Sequence, residues 1–265
     1  MSLFDLTGRC VVVTGARGLL GRPICAALAD AGATVLGLDT WEPDDNKIDL
    51  AYHGNEPEPN PSVVRISTLD RPAMQRIVTL HGAPDGLVTL AGIDAKPGTN
   101  DADPWRDWQR MIDVNLTGTA NACRVFGQSM AEVGRGSIVT VGSLYARMSP
   151  DQRLYFEPGD YVADEVTFTK PIGYGVSKAG VLGLTRHLAA QWAQAGVRVN
   201  CLSPGGIGSD STPADFRERF EARVPLGRMG TPGDLVGAVQ FLLSPASEYV
   251  TGQEIRVDGG VGIWP

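Results

Sequence analysis

Tyr174 and Lys178 are separated by Gly175-Val176-Ser177 in a stretch whose pattern predicts a helix, which puts the two side chains one turn apart on one face. A phenol with an unperturbed pKa near 10 is a poor base at neutral pH. A neighbouring ammonium favours the phenolate and lowers that pKa, so the pair is a candidate for moving a proton. Taken alone, Tyr-x-x-x-Lys is common enough by chance that a plain helix surface is the better reading. A second constellation lies near the N-terminus, where Thr14-Gly15-Ala16-Arg17-Gly18-Leu19-Leu20-Gly21 joins a β-branched run to a helical pattern. Glycines there permit a tight turn, close approach of backbone to a pyrophosphate, and helix–strand contact. The helix N-terminus adds N–H groups and the positive end of its dipole. Asp39 closes the second β-branched run, 18 residues beyond Gly21. A carboxylate at that place can accept hydrogen bonds from both ribose hydroxyls of an adenosine and repels a 2′-phosphate. No cation follows it in Thr40-Trp41-Glu42; Arg17 is the contrary sign, because a basic residue in the turn can reach that phosphate. The balance predicts a dinucleotide, NAD in preference to NADP.

The elements that must position these residues alternate regularly. Strands are predicted at Cys10–Val13, Thr34–Leu38, Val63–Ile66, Gly86–Leu90, Ser137–Val141, Arg198–Leu202 and Glu254–Val257, several of them apolar on both faces. Helical patterns fill Leu19–Ala31, Arg71–His81, Pro104–Glu132, Gly173–Ala195 and Thr231–Leu243. Strand–helix alternation of this kind predicts an α/β fold: a Rossmann-like, doubly wound parallel sheet of about seven strands, flanked by helices and linked by right-handed crossovers. No repeat or long linker divides the chain, so residues 1–265 are expected to form a single domain. Two stretches break the rhythm. Trp41–Pro61, with four prolines and six acids, reads as an exposed loop, and Leu144–Pro171 is a long segment rich in proline and aromatics.

Composition narrows the function. The chain of 265 residues is 43% hydrophobic and 20% charged, with a net charge of −7, which excludes disorder and disfavours a broad nucleic-acid-binding surface. The 33 glycines have no three-residue period, and no apolar run reaches membrane-spanning length. Cys10, Cys25, Cys123 and Cys201 are far apart, as are His53, His81 and His187, so no metal site or disulfide is expected and the cysteines read as reduced and buried. No secretory signal is visible, and a cytoplasmic protein is expected.

The motifs also occur in a particular order. The glycine turn is followed by Asp113-Val114-Asn115 in a long helix, Gly142-Ser143 at a strand end, Tyr174/Lys178, Ser203-Pro204-Gly205-Gly206-Ile207 after another strand, and Val257-Asp258-Gly259-Gly260. This order resembles the short-chain dehydrogenase/reductase family over essentially the whole chain. The resemblance implies Tyr174 as general acid/base, and Lys178 as the group that holds the nicotinamide ribose and depresses the tyrosine pKa. It implies Ser143 on the substrate oxygen and Asn115 anchoring a water in a proton relay. Gly15, Arg17, Gly18, Leu19, Leu20, Gly21, Asp39 and Thr40 would take the phosphates and adenosine ribose, Ser67 and Thr68 the adenine side, and Ala91 and Gly92 the next contact. Pro204, Gly205, Ile207 and Ser209 would line the nicotinamide. The family's contacts between subunits imply a homotetramer, with a dimer as the fallback.

The chain departs from the family pattern in places. Leu19 stands where the family usually has its second glycine, Thr89-Leu90 replace two asparagines ahead of Ala91-Gly92, and Ser67-Thr68 stand where an acid is common. Ser143 and Tyr174 are 31 positions apart, well beyond the usual gap, so the excess (Leu144–Gly173) must loop out and return beside the site as a pocket wall or lid. Arg147, Gln152 and Arg153 would be able to hydrogen-bond a polar substrate there, and Ser143, Tyr145, Arg153 and Gly206 are the candidate substrate contacts. The inserted stretch looks like that of sugar-processing members tied to bacterial polysaccharide synthesis. The leading expectation is therefore an NAD-dependent oxidoreductase moving a hydride between a secondary alcohol or ketone and nicotinamide, on a sugar- or cyclitol-like molecule. The alternatives are an NADPH-dependent reductase of a 3-oxoacyl or lipid-like ketone, and a silent dinucleotide sensor or scaffold. The last leaves the joint presence of Ser143, Tyr174 and Lys178 without a purpose.

Overall fold

A computed structural model describes residues 3–40, 62–95, 103–155 and 168–264. Seven parallel strands form one sheet: β1 (Cys10–Thr14), β2 (Thr34–Asp39), β3 (Ser62–Arg65), β4 (Gly86–Thr89), β5 (Gly136–Val141), β6 (Val197–Pro204) and β7 (Glu254–Val257), in the order β3-β2-β1-β4-β5-β6-β7. All seven predicted strands exist, with no end moved by more than two residues and Glu254–Val257 unchanged. The Trp41–Pro61 loop lies outside the described residues.

The run Val11-Val12-Val13 shows why a central parallel strand is apolar on both faces. Val11 and Val13 pack with Val139, Val141 and Leu202 against the helices α1 (Gly21–Asp30) and Gly233–Leu243. Val12 points the other way, into a core of Leu87, Ile138 and Val199 closed by α2 (Arg71–His81) and two long helices. One of these is a continuous rod over residues 108–132, two stretches of which, Ile112–Gly118 and Cys123–Gly127, wind as π-helix. The other is Ile172–Trp192. At their crossing a Cβ on Gly127 would lie 2.4 Å from the Trp192 ring, so that glycine sets how closely the helices approach.

The rod begins at Trp108 and not at Pro104, because residues 104–107 turn and Asp107 adopts a left-handed φ of 52° that helix propagation does not permit. An eight-residue helix, Ala214–Glu221, went unforeseen: its sequence is strongly charged, and only Phe216 and Phe220, one turn apart, are buried. No helix among the described residues is long and apolar enough to cross a membrane. Cys25, Cys123 and Cys201 are buried free thiols, and Cys10 is half-buried.

The strand order reverses between β1 and β4, which leave the centre of the sheet in opposite directions. A crevice must open beyond their carboxyl ends, and in such sheets this is where ligands bind.

Candidate active site

The crevice is a cavity of about 360 Å³ running from the turn after β1, past the ends of β4 and β5, to the loop after β6. The turn is built by two glycines. Gly15 has φ +69°, and a Cβ on it would lie 2.7 Å from the Ala91 nitrogen; one on Gly21 would lie 2.1 Å from the Gly15 carbonyl oxygen. Gly18, whose Cβ would meet only that oxygen at 3.3 Å, closes the turn by donating its N–H to it. Leu19 and Leu20 line the cavity, and their backbone N–H groups have no partner among the described residues. A cradle kept clear of side chains, with unused donors ahead of a helix, fits a pyrophosphate. Asp39 ends β2 and is fixed by two backbone donors, Arg17 N–H on Oδ2 (2.8 Å) and Thr40 N–H on Oδ1 (2.7 Å). It is half-buried beside the turn, and its remaining lone pairs suit ribose hydroxyls.

At the other end, Ser143 leaves β5 and caps a short 3-10 turn, Leu144–Ala146, by accepting the Tyr145 N–H. It also hydrogen-bonds Tyr174 and lines the cavity. Tyr174 and Lys178 sit in the first two turns of the Ile172–Trp192 helix, as their spacing predicts. Lys178 is buried and donates to the Val141 carbonyl at 2.9 Å, and burial pulls its pKa down to about 8. Burial pushes the Tyr174 phenol above its ordinary value, the charge of Asp94 adds to that, and the Ser143 hydrogen bond works against it. This corrects the expectation of a depressed tyrosine. Desolvation disfavours the phenolate, and the Lys178 ammonium, 5.9 Å from the ring centroid, is engaged elsewhere.

Gly15, Gly18, Leu19, Leu20, Gly21, Gly92, Ser143, Tyr145, Tyr174, Lys178, Pro204, Gly205, Gly206, Ile207 and Ser209 are all brought to the cavity wall. Arg17, Asp39, Thr40, Ser67, Thr68, Ala91 and Asn115 are not among its lining. Ser67 accepts the Leu69 N–H, and Thr68 packs where a side chain on Gly118 would sit. Asn115 is a brace: Oδ1 accepts the Ile93 N–H (2.8 Å), while Nδ2 donates to the Ile93 carbonyl (3.0 Å) and to Ser177 Oγ (3.2 Å). These bonds use both amide protons, so its side chain has no donor left for a water.

The described parts of Leu144–Gly173 reach the cavity, but not through the side chains expected. Arg147 pairs with Glu254, Arg153 with Asp151, and Gln152 Oε1 accepts the Lys170 N–H; none of the three lines the cavity. Tyr145, Tyr155 and Lys170 line it instead, and the two tyrosine hydroxyls are 3.0 Å apart. Tyr155 stacks on Phe216 at 5.3 Å, which explains both the aromatic richness of the segment and the unforeseen helix. Residues 156–167 lie outside the described residues. Sequence reasoning missed Lys170 and Asp94, which pair in the cavity wall. Neither belongs to a motif, and 76 positions separate them.

The match to known proteins is in accord with this geometry. Residues 9–155 match the family model described as short chain dehydrogenase, and residues 160–262 the one described as enoyl-(acyl carrier protein) reductase. The chain belongs to the short-chain dehydrogenase/reductase family. It is 33% identical to the 3-oxoacyl-[acyl-carrier-protein] reductase FabG of Thermotoga maritima, over 97% of this chain and 99% of that one. It is 35% identical to the galactitol 2-dehydrogenase of Rhizobium johnstonii, with 98% of each covered. The structure of a short chain dehydrogenase from Leptospira borgpetersenii with bound NAD+ is similar to it at a TM-score of 0.80 and 31% identity, over 98% of this chain and 95% of that one. As a short-chain dehydrogenase/reductase, the protein is an oxidoreductase acting on CH–OH groups with a nicotinamide cofactor.

Proposed function

We propose that this short-chain dehydrogenase is an NAD-dependent polyol or sugar dehydrogenase, with Tyr174, Ser143 and Lys178 as its catalytic set. The observation that carries the reading is the convergence of Ser143 and Tyr174 on one wall of a cavity whose other end is a glycine cradle beside Asp39. When bound, the nicotinamide supplies the hydride acceptor or donor. In the reductive direction the Tyr174 hydroxyl gives its proton to the carbonyl oxygen; in the oxidative direction its phenolate, formed once the phenol proton has passed to solvent, takes the proton of the substrate hydroxyl. Ser143 Oγ fixes that oxygen by a hydrogen bond. Lys178 would hold the nicotinamide ribose, and its ammonium lies 5.9 Å from the centroid of the Tyr174 ring. A raised phenol pKa suits a group that starts protonated and acts as an acid, the role needed for ketone reduction. Asn115 serves as a positioning residue, tying Ile93 to Ser177 beneath the catalytic helix.

The preference for NAD rests on Asp39, whose carboxylate would face a 2′-phosphate with like charge. The polar substrate rests on Asp94, Lys170, Tyr145 and Tyr155 in the cavity wall and on similarity to a galactitol dehydrogenase. A second reading, an NADPH-dependent 3-oxoacyl reductase, draws on Arg17 in the turn, the apolar side chains Phe216, Phe220 and Met229 in the same wall, and similarity to FabG. One experiment separates them: rates with galactitol, other polyols and a 3-oxoacyl thioester, each with both cofactors, in wild type and Tyr174→Phe. The first reading expects polyol oxidation with NAD favoured at least tenfold. It also expects a loss of at least about 10²-fold in Tyr174→Phe with NADH binding retained. Full turnover in that variant refutes the catalytic assignment, and a 3-oxoacyl preference with NADPH selects the second reading.

A further inference from the structure

Asp94, Lys170 and Lys178 are the only charged side chains in the described cavity wall. Lys178 donates to the Val141 carbonyl and is the group assigned to the nicotinamide ribose, so the charge left to meet the free end of a substrate is set by the other two. Lys170 is 7% exposed. Its ammonium donates to Asp94 Oδ2 and, at 3.3 Å, to the Ala95 carbonyl, and it stands 4.8 Å from the centroid of the Tyr174 ring and 5.7 Å from that of Tyr145. The Asp94 side chain is 35% exposed, and its second oxygen, Oδ1, has no partner among the described residues. A buried cation is thus neutralised by an acid that is itself open to the cavity.

From this geometry we infer that the Lys170–Asp94 pair is the substrate-selecting element of the site, reading a neutral, hydroxyl-bearing chain and rejecting a carboxylate in the same position. The inference deepens the polyol dehydrogenase reading and rests on it. An incoming hydroxyl can donate to Asp94 Oδ1 and accept the remaining Lys170 N–H, so each group keeps its charge partner and gains a hydrogen bond. An incoming carboxylate has no unpaired cation to meet. It must either displace Asp94 from Lys170 or sit beside a like charge, and no arginine lines the described wall to offset either cost. The Lys170 ammonium is 4.8 Å from the centroid of the Tyr174 ring, so a substrate end held by the pair lies close to the group that transfers the proton.

The test uses a matched pair of probes, galactitol and D-galactonate, which differ by a terminal carboxylate. Binding of each is titrated by ligand-observed NMR to the NADH-loaded protein, where galactitol forms a complex that cannot react. The proteins are wild type, Asp94→Asn, Lys170→Met and the double variant. Wild type is expected to bind galactitol at least tenfold more tightly than galactonate. Asp94→Asn, which uncovers the ammonium, should improve galactonate at least tenfold, and Lys170→Met, which leaves the acid alone, should weaken it further. These opposite signs are a signature that a merely structural pair would not give, since loss of a brace moves both probes together. Should a single variant fail to fold, the double variant, with no stranded charge, decides: galactitol should weaken about tenfold with no gain for galactonate. Equal binding of the two probes to wild type, shifts of one sign in both single variants, or an unchanged ratio in the double variant overturns the inference. Turnover of galactitol with NAD is read on the same wild-type sample. Its absence with the binding pattern intact sinks the polyol dehydrogenase reading and leaves the selection standing.

Discussion

Lys178 buries an ammonium whose pKa falls to about 8, against 10.5 for an ordinary lysine. Between those two pH values the unfolded chain holds a proton that the folded one has released, so this residue makes stability rise with pH across that window. Below pH 8 both states are charged and the folded state carries the full desolvation penalty, ~3 kcal/mol at 1.36 kcal/mol per pKa unit. Lys178→Met removes that penalty at the expense of the hydrogen bond to Val141. In cofactor-free protein the variant should therefore gain on wild type most at pH 7 and lose most of that advantage by pH 10.5. Urea unfolding at the two pH values checks it, and a difference that grows with pH contradicts it. At this scale the sequence was informative wherever roles follow from spacing along one element, as with Tyr174 and Lys178. It was silent on Lys170 and Asp94, which meet only because the chain before the catalytic helix folds back on the end of β4. It pointed the wrong way for Arg147 and Arg153, since an exposed arginine finds the nearest acid, and the nearest acids, Glu254 and Asp151, lie outside the cavity.

The turn between β1 and α1 shows how an element constrains residues unequally. Gly15, Gly18 and Gly21 are indistinguishable as letters, yet the space around them differs. An alanine methyl at Gly21 would overlap the Gly15 carbonyl at 2.1 Å, backbone against backbone with no rotamer to relieve it, whereas at Gly18 the nearest atom is at 3.3 Å. Gly21→Ala is expected to cost at least about 2 kcal/mol and to weaken NADH binding by more than tenfold as the cradle opens. Gly18→Ala should stay within about 1 kcal/mol and change NADH affinity only a few-fold. Thermal unfolding and NADH fluorescence titration measure both, and equal effects at the two sites would contradict the geometry. The departure at Leu19 from the family's glycine spacing is accommodated because its side chain is half exposed, at 51%. Strands and long helices were legible because each carries its own apolar period. Ala214–Glu221 was not, because Phe216 and Phe220 are buried by distant residues, Leu144, Leu154 and Tyr155 among them.

Across the whole molecule, the Ile172–Trp192 helix carries more apolar surface than one chain covers. Its inner face holds Val181, Leu182, Ala189 and Trp192 against the sheet, yet Ile172, Val176, Ala179, Gly183 and Ala190 form an exposed stripe on the other side, interrupted only by Arg186 and His187. A helix apolar on both faces is normally buried on both. We propose that this stripe packs against a second copy of the chain within a homotetramer, as the family resemblance leads one to expect. The small side chains at Ala179 and Gly183 would allow close helix approach, and the catalytic Tyr174 and Lys178 sit on the same helix, so assembly would hold the site rigid. Light scattering on wild type should then give about four times the 28.1 kDa chain mass. Ala179→Arg, a charge added to an exposed position, should reduce the mass to that of a dimer or monomer while leaving the circular dichroism of the folded chain unchanged. A substitution on a solvated surface normally changes stability by no more than about 0.5 kcal/mol. A drop of several degrees in melting temperature together with the loss of mass would therefore show that assembly contributes to stability. Wild-type protein of single-chain mass, or an Ala179→Arg variant that keeps the assembled mass, would leave the stripe as plain surface.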